Sequence, residues 1–446
     1  MPLYCSNIPR SILGLGRRSH NFTLSHIKTP DSFFLSLQHK SPNTHIALLS
    51  KFDQTFSMEE DRKMLCLDLA AEEYSKELDA AVRAVQMACF LCQRLHHTLI
   101  SICQSSNENS LLTVAGWSVK AIVSWMLLQC LRGENVSIVT AEDDVQALSK
   151  TNTSELLETV VKIVNECLAE ASRFGVEQPK SALAISDVVE IISSCNSVGG
   201  HSRRFWVLGP LDGEMGLAHG EQYAVALSLI EDGEVVLGVL GCPNYPMRKD
   251  WLSYQNRYHW IISKLTPATS ESWNKGCVIY AKKGSGKAWI QPLLHANKKF
   301  VWPNHAKQVS VSSIDNPALA TFCQPTEKPN SSHSYTEGLA HSVGLSNQTL
   351  KVQNMMKYAA IACGDAEVFM KFPRAGYKEK IWDHAAGAII IQEAGGVVTD
   401  ARGSPLDFSK GLYLERLDRG IVACVGATLH EKIIHDVDAS WVSSCL

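Results

Sequence analysis

From residue 67 the chain reads LDLAAEEYSKELDAAVRAVQMACFLCQRLHHTLI, with apolar residues returning every three or four positions. That spacing lines one face of a 3.6-residue repeat and predicts a long amphipathic helix to Ile100. The same reasoning predicts a helix over Ser118 to Leu131. Another is predicted over Ser154 to Ser172, where Leu156, Leu157, Val160, Val161, Ile163 and Val164 share a face. Further on, the period shortens. FWVL at 205–208 and QYAVALSLIEDGEVVLGVLGC at 222–242 carry β-branched runs, and Asp232-Gly233 between two of them signals a hairpin. CVIYAKKGSGKAWIQPL at 277–293 predicts a second hairpin. From Pro303 to Leu350, Ser, Asn, Pro and His dominate and the apolar runs are short. QNMMKYAAIACGDAEVFMKF then predicts helix followed by strand, and WDHAAGAIIIQEAGGVVTDARG predicts helix, glycine stop and strand. Helices interleaved with strands indicate an α/β or α+β protein.

Composition narrows the function. Hydrophobic residues make up 45% and charged residues 20%, the profile of a globular protein. A net charge of −3 argues against a nucleic-acid polymer as partner and leaves a small anionic ligand open. The most apolar run, AIVSWMLLQCL at 121–131, is shorter than the ~20 residues of a membrane span, so no membrane partner is expected. Of 14 cysteines only Cys89 and Cys92 form a CxxC, and they fall within the first helical pattern. With no second CxxC to complete a zinc site, they read as core thiols.

The first fifty-odd residues differ from the rest. Arg10, Arg17, Arg18, Lys28 and Lys40 are present, serine recurs, and Asp31 is the only acid before Asp53. That is the composition of an organelle transit peptide, mitochondrial or alternatively chloroplast. The expected organisation is a leader at 1–57, an α+β domain at 58–265 and an α/β domain at 266–446.

Three stretches carry candidate chemistry. TAEDD at 140–144 follows strand-like VSIV, PLDGE at 210–214 follows FWVL, and WDHAAG at 382–387 opens a helix. Alone, each has an ordinary explanation: helix-start acids, a turn, an N-cap. Together they place carboxylates at strand and helix ends, the hard-oxygen supply that magnesium takes. GSGK at 284–287 is not a phosphate loop. Ala288 follows Lys287 where Ser or Thr is needed, and the glycines sit between two strand-like runs.

WVL-x-P-L-D-G, GEQYAVALSLIEDGEVVLGVLGCPNYP and AGYKEKIWDHAAGAIIIQEAGGVVTDA resemble the inositol-monophosphatase superfamily. Within it they most resemble plant 3'(2'),5'-bisphosphate nucleotidases. The resemblance covers roughly Leu65 to the C-terminus, and the N-terminal extension suits the mitochondrial-type branch. It implies an alternating α-β-α-β-α layered sandwich. It also implies magnesium-dependent removal of the 3'-phosphate of adenosine 3',5'-bisphosphate to leave AMP.

Carried over by position, Glu142, Asp212, the carbonyl of Leu211 and Asp383 match metal ligands, and Asp383 also matches a sugar contact. Gly213 and Glu214 fall in the phosphate-facing part of the loop. His341 matches a base contact and Lys357 a phosphate contact. Asn354 stands where Ser is usual, and Lys371 stands at a position often held by Arg. Three positions depart from the pattern. Gly209 replaces the first Asp of D-P-x-D-G-T, Glu214 replaces its Thr, and Gly116 replaces the Asp of V-x-D. The expectation is a nucleotidase fold with a weakened Mg²⁺ site and reduced or absent turnover. A nucleotide-binding pseudoenzyme and an inositol-phosphate phosphatase are the alternatives. Compensation by the Glu214 carboxylate stays open at this point.

Overall fold

Nine α-helices and twelve β-strands make up the described part of the chain. The computed structural model describes residues 73–102, 108–141, 154–201, 203–246, 275–294, 298–302, 306–324, 333–345, 348–352, 355–374, 376–415 and 420–444. The leader at 1–57, Glu142 and Asn354 lie outside them. Residues 64–446 form one unit.

Two long helices come first, α1 (Ser75–Ile102) and α2 (Glu108–Cys130). After strand β1 (Ile138–Thr140) come α3 (Ser154–Leu168) and α4 (Ile185–Ser193). Strand β2 (Arg204–Asp212) leads into the short helix α5 (Glu214–His219). Strands β3 (Ala224–Glu231), β4 (Glu234–Pro246), β5 (Lys275–Lys282), β6 (Ala288–Pro292) and β7 (Lys307–Val309) follow. These seven strands form one sheet in sequence order, parallel only between β1 and β2.

A second sheet, in the order β11-β12-β10-β8-β9, uses the later strands. They are β8 (Thr321–Gln324), β9 (Gln348–Lys351), β10 (Val368–Lys371), β11 (Val397–Asp400) and β12 (Ile421–Cys424). Helices α6 (His333–Val343), α7 (Met356–Ala362), α8 (Ala385–Glu393) and α9 (Ala427–Ser444) complete the chain.

The layers follow from which faces are apolar. In β3, Ala224 and Ala226 join one core cluster, while Val225, Leu227 and Leu229 join the other. A strand buried on both faces needs a near-continuous apolar run rather than strict alternation, and AVALSLI supplies it. Helix α1 covers one face of this sheet at β3 and β4, with α2 packed on α1 and β2; α8 covers the other face at β4 and β5. Helix α8 also contacts β11, and α9 lies on β12 against α6. This is the α-β-α-β-α order that the resemblance implies.

Several elements differ from the pattern read along the chain. Helix α2 starts ten residues before Ser118 and runs through Gly116. Leu112, Val114 and Ala115 are buried, and that packing outweighs the ~1 kcal/mol helix penalty of a glycine. The apolar stretch Leu112–Cys130 is consequently 19 residues, long enough by length and composition to cross a membrane, with 78% of its window buried inside the protein. The polar segment 303–350 holds β7, β8, α6 and β9. The first sheet continues past residue 265 to Val309, so the change of sheet falls between Val309 and Thr321. The Asp232-Gly233 hairpin is present, with φ of 51° and 83° at its two central residues. Cys89 and Cys92 are buried free thiols on α1, and burial pushes both thiol pKa values up, that of Cys92 to about 12.

Candidate active site

The site begins where β2 leaves its ladder. Gly209 pairs with Ala226 and Asp212 with Ala224, so Pro210 and Leu211 together oppose a single residue of β3. This is a bulge, and a proline fits there because it has no N–H to give the ladder. A bulge re-aims the strand end. Gly213 follows in the left-handed region, with φ 85°, and Glu214 opens α5.

Gly116 of α2, Gly209, Leu211 and Asp212 of β2, Glu214 of α5 and Asp383 line one cavity of about 370 Å³. Trp117, Trp382 and Lys380 complete its polar and aromatic wall. Asp383 closes a 3₁₀ turn (Ile381–Asp383) just before α8. Asp212 Oδ2 accepts the Met355 N–H at 2.6 Å, which ties β2 to the start of α7. Burial raises the Asp383 carboxyl above its ordinary pKa, and the neighbouring negative charge of Asp212 raises it further. The Lys380 ammonium lies 5.5 Å from the centre of the Trp382 ring.

The two glycines leave different spaces. A Cβ at Gly116 would meet nothing within 4 Å, whereas one at Gly209 would lie 3.1 Å from the Trp382 carbonyl oxygen. Magnesium takes hard oxygen ligands. The carboxylates of Asp212, Glu214 and Asp383 and the Leu211 carbonyl can offer them, whereas Gly116 and Gly209 have no side-chain oxygen. Among the described residues no three His, Cys, Asp or Glu side chains gather as a metal site.

Lys357 and Lys371 are not among the described lining residues of this cavity, and neither is His341, which is exposed in the last turn of α6. The Lys357 ammonium packs over Phe369, 4.6 Å from the ring centre, and burial followed by the charge of Lys371 pulls its pKa down to about 8. Lys371 Nζ donates to Glu379 Oε2 at 2.7 Å. Burial works against the Lys371 charge, but Glu379 outweighs it and holds its pKa above the ordinary lysine value.

One group of residues went unread in the sequence. Glu379 Oε2 is also 2.9 Å from His384 Nε2, and His384 Nδ1 is 2.7 Å from the Tyr358 hydroxyl. Tyr358 reaches His384 because α8 carries a glycine there: a Cβ on Gly387 would lie 2.2 Å from the Tyr358 ring. The signal was available in KEKIWDHAAG, where an acid precedes a histidine by five residues and a glycine follows by three.

The GSGK turn also has a definite role. Gly284 N–H donates to Glu393 Oε1 at 2.7 Å and Gly286 N–H to Oε2 at 2.6 Å. The backbone nest is filled by the chain's own carboxylate, which pins the β5–β6 hairpin to the end of α8.

Two mixed sheets interleaved with helix layers, with an acidic cavity at a strand-end bulge, define an α/β layered sandwich. The chain belongs to the inositol monophosphatase family, whose model matches residues 108–441. It is 52% identical over 382 residues to the 3',5'-bisphosphate nucleotidase AHL of Arabidopsis thaliana, covering 85% of this chain and all of that protein. It is 39% identical to the probable 3'(2'),5'-bisphosphate nucleotidase 4 of the same plant, over 77% of this chain and 89% of that one. Among solved structures, an inositol monophosphatase from Anabaena is 15% identical with a TM-score of 0.45, covering 81% of this chain and 95% of that one.

Proposed function

We propose that this chain binds nucleoside 3'(2'),5'-bisphosphates, with adenosine 3',5'-bisphosphate as its ligand, and hydrolyses them far more slowly than a complete site would. The ligand class is supported by the names of its relatives, both bisphosphate nucleotidases. The slow chemistry rests on one observation: Gly116 and Gly209 sit in the cavity wall that carries Asp212 and Asp383. Two positions facing the reaction space therefore offer no side-chain oxygen to a metal or a water. Losing one positioned general base lowers a rate by roughly 10²–10⁴. Losing a carboxylate beside a divalent ion lowers magnesium affinity as well. Magnesium is the ion the resemblance implies, and its affinity here is correspondingly low.

The test is phosphate release from adenosine 3',5'-bisphosphate with excess Mg²⁺, run beside the triple variant Gly116→Asp, Gly209→Asp, Glu214→Thr. The variant is expected to exceed the unaltered chain by at least about 10². Equal rates would defeat the proposal and favour Glu214 as a working substitute. Calorimetry with the same nucleotide and with AMP decides the binding half, since no heat at millimolar ligand would remove it. Inositol 1-phosphate in the same assay tests the other branch of the family. The basic leader is proposed as a mitochondrial address, which import of a fluorescent fusion into mitochondria or chloroplasts decides.

A further inference from the structure

A buried polar line joins four segments beside the candidate site. Glu379 is 1% exposed and lies in the connection between β10 and the 3₁₀ turn. Its Oε2 accepts from Lys371 at 2.7 Å, at the end of β10, and lies 2.9 Å from His384 Nε2, at the start of α8. His384, fully buried, passes the line to Tyr358 of α7. A carboxylate paired with an ammonium can only accept, so Nε2 carries the imidazole proton and Nδ1 accepts the Tyr358 O–H.

This arrangement is a poor way merely to hold a fold together. Two apolar side chains of similar size would pack about as stably as a buried ion pair. Moreover, Glu379 Oε1 is buried and has no hydrogen-bond partner among the described residues, a penalty that packing alone would not retain. What the line does join is specific. Lys371 is on it, Lys357 precedes Tyr358, and Asp383 precedes His384.

We propose that Glu379 is a positioning residue of the candidate active site, one of its oxygens fixing Lys371 and, through His384, the turn that carries Asp383. The ligand half of this inference rests on the nucleotide-binding reading above; the histidine half does not.

The test uses the full chain and three variants: Glu379→Gln, Lys371→Met and the double variant. Thermal stability, affinity for adenosine 3',5'-bisphosphate by calorimetry, and the ring-nitrogen NMR spectrum of His384 are read on each. Glu379→Gln is expected to lower the melting temperature, because it strands the Lys371 ammonium. The double variant should recover most of that loss, since neither charge remains. Its affinity should nevertheless stay about tenfold or more below that of Lys371→Met alone, the usual scale for losing a supporting hydrogen bond behind a site. Affinity of the double variant equal to that of Lys371→Met would overturn the inference. The spectrum should show a single Nε2–H tautomer in the unaltered chain and a mixture in Glu379→Gln, because the amide can accept from or donate to the ring. An unchanged single tautomer would overturn it too. If the unaltered chain binds no nucleotide, the proposed function fails, and the His384 spectrum alone still decides the role of Glu379.

Discussion

Replacing Gly387 by alanine sets two effects of opposite sign against each other. Gly387 lies inside α8, where alanine is favoured over glycine by about 1 kcal/mol. Propensity alone therefore predicts a more stable protein. The packing predicts the reverse. The new Cβ would lie 2.2 to 2.6 Å from three Tyr358 ring carbons, and carbon atoms rest at about 3.5–4.0 Å. The ring or the helix would have to move by about 1 Å or more. Tyr358 is fully buried, stands edge-on to Phe369 at 5.0 Å, and is held at its hydroxyl by His384. Overpacking of this kind costs about 1–3 kcal/mol, and this contact belongs at the upper end. The net expectation is a loss of roughly 2 kcal/mol after the helix gain, read as a lower urea midpoint at unchanged slope. Pairing Gly387→Ala with Tyr358→Leu removes the obstructing ring. The two losses should then fall short of additive by about 1 kcal/mol or more. A stabilised single variant, or strict additivity in the pair, would refute the packing argument.

Three further outcomes follow from the same contacts. Gly116→Asp should leave stability within about 0.5 kcal/mol, since its Cβ enters open space, while Gly209→Asp should lose about 1 kcal/mol as the Trp382 carbonyl gives way; equal midpoints would contradict the contact distances. Glu393→Ala frees two backbone N–H groups, so amide exchange at Gly284 and Gly286 should accelerate at least tenfold, with about 1 kcal/mol of stability lost. Unchanged exchange there would show that the nest is held by the turn itself. Burial alone would raise the Glu379 pKa, yet the His384 hydrogen bond and the Lys371 charge outweigh it and bring it from an ordinary 4.5 to about 2. A depressed carboxyl stabilises above its unfolded value, so this contribution, at most about 3 kcal/mol, is lost as pH falls from 4.5 through about 2. Acid titration of Glu379→Gln by circular dichroism should show a shallower slope over that range.

The legible parts of the sequence were those whose structure is local. The Asp232-Gly233 hairpin needs two left-handed residues, and the dipeptide announces them. Asp212 stood out because it follows the strand-like run FWVL, and Asp383 because it heads a predicted helix. Helix α2 begins ten residues before the predicted Ser118, and its packing on α1, a tertiary fact, supports the added turns. Strand β8 has four residues, TFCQ, too few for a period to emerge from a Ser- and Pro-rich background; its burial between β9 and β10 is a tertiary fact. The Glu379–His384 half of the buried line had a local signal in KEKIWDHAAG, but its Tyr358 end is a tertiary fact of the same kind. Nothing in KYAA says that its tyrosine will lie on a glycine 29 positions later.

The cavity wall draws Gly116 from one end of the chain and Asp383 from the other, 267 positions apart. Loops of that length close late, because their entropy is spent before any contact rewards it. The pocket wall is complete only when both of these distant segments are in place. Nor can any fragment, natural splice product or proteolytic half that omits either end carry a remnant of it. Ligand capture by this protein would thus report completion of the whole chain, not of a module within it.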